Sequence, residues 1–463
     1  MAVPRLPLVL VAVVALLLAA CDGPPPPASP APSDSTASIG SLAPSAEPTS
    51  DVGQVVPAPG SSSDVYQPNP GAIVVAIDPG HGGCLDWGVP NRWDNTVEKS
   101  EKADTLAIGL RLRDLLEAQG ITVVMTRTDD SALAGDDYPD LGCNGPEWRD
   151  VDGDGEAGFE ETGRIRTRDE LQARLDLANL VRADLLLSIH INSLTEDGVV
   201  FEIAATQTFY DDETPWGEAG SGRLARHVQE RVVEALDAVA GYERQDRGRA
   251  AVAYYLVSRQ WDDEDSCERS RDTWCKPHRG ADLPAILAEV GSMSHEGESE
   301  LLATERGRAA VADALYTGVR DWLADRPLSV RYDALVAGGE AGSRPVVLPG
   351  EGPPFWAPGV SSDDLVDGRL PVRLTNTGTG AWGTGLELLV GWAPSDEPYL
   401  ASAPELSSAG VTVPALAPGE SVLVHVSLGL PPGGRQVAWI TLADSAAPLT
   451  DSGSPPLQLA WQP

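Results

Sequence analysis

Lysine is nearly missing from this chain: Lys99, Lys102 and Lys276 are the three present in 463 residues. Arginine supplies almost all the positive charge. Even together, Lys and Arg number 33 against 69 Asp and Glu, a formal net charge of -36. So few cations cannot build the basic face that a phosphate backbone requires, which excludes a nucleic-acid partner. The cysteines are few as well, and no C-x-x-C spacing occurs among them, so a thiolate metal site has no support. No internal repeat and no coiled-coil heptad is present. The long apolar run at residues 8–20 is shorter than a comfortable membrane span.

That run is a targeting segment and stands outside the fold. Arg5 is its basic flank, and it ends Leu18-Ala19-Ala20-Cys21. The ending resembles the lipobox of bacterial lipoproteins, in which the cysteine is lipidated and becomes the new N-terminus. On that reading residues 1–21 are a lipoprotein signal and Cys21 anchors the protein to a membrane. An ordinary secretory signal cut nearby would leave Cys21 incidental, and either way the protein is exported. Residues 22–70, rich in Pro, Ser, Ala, Gly and Thr, cannot bury enough apolar surface to fold and read as a tether. With Cys21 set aside, Cys84, Cys143, Cys267 and Cys275 remain. An even count in an exported chain suggests disulfides, with Cys267 and Cys275 the local pair and Cys84 left with Cys143.

From residue 72 onward apolar runs alternate with helical periods. Strands are expected at 73–77, 121–126, 185–191, 199–204 and 285–290, and helices at 101–119, 166–181, 218–239 and 299–325. This order specifies an α/β domain built on one mixed sheet, spanning 71–326. After a Gly- and Pro-rich linker at 327–345 the helical period disappears. Short candidate strands at 369–375, 386–392, 421–428 and 436–442 suggest a small all-β, Ig-like sandwich over 346–463. Its Trp382, Trp392 and Trp439 either stack on sugars or fill the core, the commoner role of Trp in a sandwich.

Four separated stretches carry the chemistry. They are Ile77-Asp78-Pro79-Gly80-His81-Gly82-Gly83, Glu101-Lys102, Ser188-Ile189-His190-Ile191-Asn192-Ser193 and Ala288-Glu289-Val290-Gly291. Two histidines and a carboxylate can hold Zn²⁺ at three corners of a tetrahedron, leaving the fourth for water or substrate. A second glutamate can act as the base. His81, His190 and Glu289 fall at the C-terminal ends of apolar strands, the edge at which ligands bind in open α/β sheets. Taken singly, a His or Glu near a strand end is more often structural or solvated. The remaining histidines, His227, His278, His295 and His425, are read as non-catalytic.

The segment 73–325 resembles the zinc-dependent type 3 family of bacterial and phage N-acetylmuramoyl-L-alanine amidases. Its stretches occur in the family's order, joined by Thr126-Arg127-Thr128-Asp129 and Arg174-Leu175-Asp176-Leu177-Ala178-Asn179. The resemblance implies hydrolysis of the amide joining N-acetylmuramic acid to the L-alanine of peptidoglycan, for wall remodelling or turnover. It implies His81, Glu101 and His190 as zinc ligands and Glu289 as general base. Glu98-Lys99 mimics Glu101-Lys102, and Glu101 fits the following helix better. Ser292-Met293-Ser294 replaces the aromatic common after the Gly, so substrate contacts there differ. The alternatives are a zinc peptidase of the same fold on another wall peptide and an inactive wall-binding lipoprotein. A binder needs no general base, and all four residues are retained.

An insertion at about 130–165 contains Asp150-Val151-Asp152-Gly153-Asp154-Gly155-Glu156-Ala157-Gly158-Phe159-Glu160-Glu161. This fits the calcium-loop pattern D-x-D-x-D-G-x₅-E, with Asp150, Asp152, Asp154, Glu156 and Glu161 as ligands. The bland alternative is an acidic loop that repels itself. Calcium on this loop would fold the insertion beside the cleft, where it gates substrate or holds the enzyme inactive and leaves a role for a protein activator.

Overall fold

The computed structural model describes residues 73–462 except 84–85, 91–92, 94–95, 135–167, 197–198, 253, 255, 258–279, 337–338, 341–344, 348–355, 395–403, 434–435 and 446. Cys21, the tether, the other four cysteines and the calcium-type loop lie outside the described residues. Among the described residues, no helix is long and apolar enough to cross a membrane.

The first lobe is a six-stranded mixed sheet in the order β2-β1-β3-β8-β6-β7. Its strands are β1 (Val74–Pro79), β2 (Thr122–Met125), β3 (Leu185–Asn192), β6 (Ala205–Tyr210), β7 (Gln245–Ala251) and β8 (Ala285–Ser292). A short ribbon of β4 (Thr195–Glu196) and β5 (Val199–Val200) leaves the sheet after β3. β1, β2, β3 and β8 run parallel, β6 is antiparallel to β8, and β7 is parallel to β6. The parallel strands are apolar on both faces up to their C-terminal ends because helices and loops cover both faces. On one face Leu185, Leu187, Ile189 and Ile191 of β3 meet three helices: α1 (Glu101–Glu117), α3 (Arg223–Val239) and α5 (Glu305–Ala324). Ile108, Leu112 and Leu116 recur every fourth residue of α1 and are fully buried there. On the other face Leu186 packs against α2 (Arg168–Leu180) through Leu175 and Ala178, and against Leu256 and Leu283. That cover leaves the C-terminal end of the face free for the site.

Four expectations are corrected. The strand expected at 199–204 does not join the sheet: only Val199–Val200 is extended, and Ala205–Tyr210, buried almost throughout, takes the place beside β8. The helix expected at 218–239 opens with a π turn, Glu218–Gly222, before α3. The helix expected at 299–325 is two, α4 (Glu296–Leu302) and α5, because Thr304 Oγ1 caps α5 by accepting from Gly307 N at 3.1 Å. The linker expected at 327–345 holds a core strand, β9 (Val330–Val336), with Tyr332 and Ala334 buried.

β9 belongs to the second lobe, two sheets enclosing one core. One sheet orders β10-β9-β13-β16, with β10 (Gly339–Glu340), β13 (Leu370–Asn376) and β16 (Ser421–Val426). The other orders β11-β12-β19-β17-β14-β15, with β11 (Pro345–Val347), β12 (Trp356–Ser361), β14 (Glu387–Pro394), β15 (Ser407–Thr412), β17 (Gln436–Asp444) and β19 (Leu457–Gln462). A further pair of residues, β18 (Ala447–Pro448), joins β17. Val372, Leu374 and Val424 of the first sheet pack with Leu388, Ile440 and Leu459 of the second. Trp382 and Trp439 are buried and Trp392 is half-buried, with its indole N–H donating to Leu428 O at 2.8 Å, so all three serve the packing of this lobe.

Candidate active site

The site begins with a tight turn at the end of β1. His81 has a φ of 62°, an unusual backbone for a non-glycine residue. Buried arginines hold it there. Arg127 donates to the carbonyls of Pro79 (2.8 Å), Gly80 (3.0 Å) and Lys102 (2.7 Å). Arg174 donates to Pro79 O at 3.0 Å, His81 O at 2.8 Å and the Asp78 carboxylate at 2.7 Å. Asp78 also accepts from Thr126 and Ser188, each at 2.6 Å. Burial works against the Asp78 charge, but Arg174 and the two hydroxyls outweigh it and hold the carboxyl at about 2. The motif pieces around Thr126 and Arg174 thus form a clamp on the turn that presents His81.

Within this frame His81, Glu101 and His190 converge. His81 Nε2 lies 3.2 Å from Glu101 Oε1, and His190 Nδ1 lies 3.1 Å from both. Three donors bound to one zinc at about 2.0–2.1 Å stand roughly 3.3 Å apart, so the triangle has the size of three corners of a zinc tetrahedron. Lone-pair donors this close repel one another unless a cation or proton lies among them. Glu101 is buried at the first position of α1, with Oε1 accepting from Ile191 N and Oε2 from Val89 N, each at 2.8 Å. His81 and His190 outweigh burial and hold its pKa below the usual carboxylate range. Glu98 stands exposed in the preceding turn, Val97–Lys99, apart from the cluster.

Two contributors escaped the sequence reading. Asp86 Oδ1 lies 2.7 Å from His81 Nδ1, which fixes Nδ1–H as the donor and turns the Nε2 lone pair toward the cluster. Burial depresses the His81 imidazole, but Asp86 and then Glu101 raise it well above the usual histidine range. Gly88, with φ +65°, closes the loop: a Cβ there would sit 2.5 Å from both Glu101 Oε2 and His81 Cδ2. A spacing of five residues after the histidine, in a loop without periodicity, gave no signal for Asp86. Gly80 was in the motif, and its reason is now plain, since a Cβ would lie 2.4 Å from the His190 ring.

Glu289 stands on β8 as the register partner of His190 on β3. Its Oε2 and His190 Nε2 are buried without a hydrogen-bond partner among the described residues. Buried polar atoms are rarely left so unless a reacting molecule or water completes them. Burial, with the Glu101 charge adding to it, pushes the Glu289 carboxyl well above the usual range, against a weaker opposing pull from His81. The other histidines keep structural places. His227 faces Asp325 at 3.4 Å, His295 caps α4 by accepting from Glu298 N at 3.2 Å, and His425 is exposed on β16. His278 lies outside the described residues.

The chain is similar to known proteins. The family model for N-acetylmuramoyl-L-alanine amidase matches residues 75–321. The chain is similar to the germination-specific N-acetylmuramoyl-L-alanine amidase of Bacillus subtilis (strain 168), 25% identical over 254 residues, 55% of this chain and 81% of that protein. It is also similar to the N-acetylmuramoyl-L-alanine amidase Rv3717 of Mycobacterium tuberculosis, 24% identical over 274 residues, 55% of this chain and 88% of that one. Among solved structures, the CwlD amidase of Clostridioides difficile, in complex with the GerS lipoprotein, aligns at 25% identity and a TM-score of 0.37, covering 54% of this chain and 98% of that one. The match of the family model over more than half of the chain places it: the protein belongs to the N-acetylmuramoyl-L-alanine amidase family and is a peptidoglycan amidase.

Proposed function

We propose that the chain is a zinc-dependent amidase, with His81, Glu101 and His190 holding the metal and Glu289 acting as general base. The observation that carries this reading is the 3.1–3.2 Å triangle of donor atoms with Glu289 in register beside it. When bound, zinc supplies a Lewis acid for the amide carbonyl and the attacking water. The chain's own residues do the rest. Asp86 keeps His81 in the ligating tautomer. Glu289, in register beside the cluster, takes a proton from the attacking water and passes it to the departing L-alanine nitrogen. The Asp78–Arg174–Arg127 clamp keeps the His81 turn fixed throughout. The test is hydrolysis of purified peptidoglycan, with products read by mass spectrometry. Free peptides beginning at L-alanine are expected from the wild type, and Glu289→Ala should lose at least about a hundredfold in rate. Undiminished cleavage by the variant, or a wild type that binds no zinc, would remove this assignment.

Three further readings rest on sequence. Export with a lipid on Cys21, followed by a tether, places the enzyme outside the cytoplasm in wall remodelling or turnover. The wild type is expected to need detergent for extraction and to carry a lipid's mass on Cys21, and a mature wild type without that added mass would refute the anchor. Calcium on Asp150, Asp152, Asp154, Glu156 and Glu161 rests on the loop pattern, and calorimetry with no heat of binding would discard it. Disulfides Cys84–Cys143 and Cys267–Cys275 would vanish from the picture if thiol titration found free cysteines in the native protein.

A further inference from the structure

The Glu289 row continues past the catalytic pair. On β6, Gln207 is the antiparallel register partner of Glu289, so the two side chains rise from the same face of the sheet on adjacent strands. Such partners have Cβ atoms about 4.5–5.5 Å apart. Gln207 is the one residue of β6 that is not buried. The neighbouring polar side chains of the strand are spoken for: Thr206 Oγ1 donates to Val290 O at 2.9 Å and Thr208 Oγ1 to Gln229 Oε1 at 2.8 Å. The Gln207 carboxamide makes no hydrogen bond to a described residue, although it can both donate and accept.

The sheet is distorted on both sides of this row. Between β3 and β8 the register slips just after the His190–Glu289 pair. Between β6 and β7 it slips at Gln207, where Arg247 and Gly248 (φ +68°) stand opposite that single residue. Asp246 pins the second bulge, its Oδ1 accepting from Gly248 N at 2.8 Å and from Gln229 Nε2 at 2.6 Å. Bulges of this kind re-aim a side chain beside an active site. Toward the other end of the strand, Phe209 of the same face meets Tyr254 edge-on, ring centroids 4.8 Å apart, and closes the row with apolar surface.

We propose that Gln207 binds the peptide on the leaving side of the scissile amide, its carboxamide hydrogen-bonding the backbone of the L-alanyl unit. This rests on the amidase reading above. The order across the sheet gives the assignment. The ligand cluster takes the acyl side, Glu289 takes the departing nitrogen, and Gln207 follows where the peptide must continue. One strand spacing is about 4.8 Å and one residue advances about 3.8 Å between Cα atoms, so the next carbonyl of the stem falls within reach of the Gln207 side chain.

The experiment is steady-state hydrolysis of a soluble N-acetylmuramoyl-L-alanyl peptide by the zinc-loaded full chain. Gln207→Ala and Gln207→Met are compared with wild type, the second keeping the side-chain length. Loss of one neutral hydrogen bond should raise KM about five- to tenfold in both variants while kcat stays within about twofold. Zinc content and unfolding temperature should not move. Unchanged KM in both variants would overturn the proposal, and so would a fall in kcat accompanied by zinc loss, which would make Gln207 a support of the ligand cluster. A wild type that releases no L-alanyl peptide while binding zinc would instead overturn the amidase assignment on which the proposal stands.

Discussion

At the scale of single residues, the site depends on atoms that touch no substrate. Asp86 is the clearest case, because its carboxylate both orients His81 and raises its basicity. The Asp86 and Glu101 charges favour the protonated His81 ring over burial, so proton and metal compete for its Nε2. Metal must displace that proton, so affinity rises with pH until the raised pKa is passed. Asp86→Asn is expected to lower zinc affinity about 10–100-fold, since outer partners of ligating histidines commonly contribute that much. It should also make the pH dependence shallower near neutrality, because the raising charge is gone. Chelator competition at several pH values between about 6 and 8 measures both effects. Equal affinity in the two proteins would show that Asp86 does not set the ring. His81, Glu101, His190 and Glu289 were legible in the sequence because each sits in a strand-end or helix-start motif. Asp86, Gly88 and Gln207 were not. Their roles come from loop closure, a Cβ-free approach and cross-strand register, which no local pattern records.

Among the elements, the buried Asp78–Arg174 pair ties β1 to α2, while Thr126 and Ser188 bring in the end of β2 and the middle of β3. The folded Asp78 pKa of about 2 lies below its ordinary 3.8. A carboxylate depressed in this way stabilises the fold at pH values above its unfolded pKa and loses that contribution as pH falls through the folded value. The difference corresponds to about 2 kcal/mol, withdrawn between roughly pH 4 and pH 2. Asp78→Asn leaves Arg174 with Glu170, 2.8 Å away, as its remaining charge partner. We expect a loss of about 3 kcal/mol at pH 7, the lower end for breaking a buried pair. The acid limb of stability should flatten correspondingly. Urea unfolding at pH 7 and pH 3 tests this, and equal losses at both would contradict the ionic account. The element order itself was readable wherever an apolar run or a helical period stood out. β7 was not readable because Gln245–Ala251 is an exposed, charged edge strand with no alternation. β9 was hidden because Gly and Pro on either side gave it the composition of a linker, although Tyr332 inside it is buried and its hydroxyl accepts from Leu442 N at 2.7 Å.

For the described molecule as a whole, the β lobe joins the catalytic lobe at the edge opposite the site. Asp184 precedes β3 and Asp282 precedes β8, so both mark the N-terminal ends of strands whose C-terminal ends carry His190 and Glu289. There Gln458 Nε2 donates to Asp282 Oδ1 at 3.0 Å, Arg182 Nη1 to Tyr332 O at 2.5 Å and Arg223 Nη2 to Ser452 O at 2.7 Å. Gly453, with φ +89°, comes so close to the π turn before α3 that a Cβ would lie 2.5 Å from Ala219 O. Such bonds, two of them to backbone carbonyls, fix an orientation in a way that a flexible linker cannot. These bonds hold the β lobe against the sheet of the catalytic lobe. Removing residues 327–463 would expose Arg182, Asp184 and Asp282 and uncover the lower edge of the core. The full chain is expected to unfold in one calorimetric transition, and the chain ending at 326 to unfold at least about 5 °C lower, the shift that roughly 1–2 kcal/mol produces in a domain of this size. Two separable transitions in the full chain, with the catalytic one at the temperature of the truncated protein, would show instead that the lobes are energetically independent.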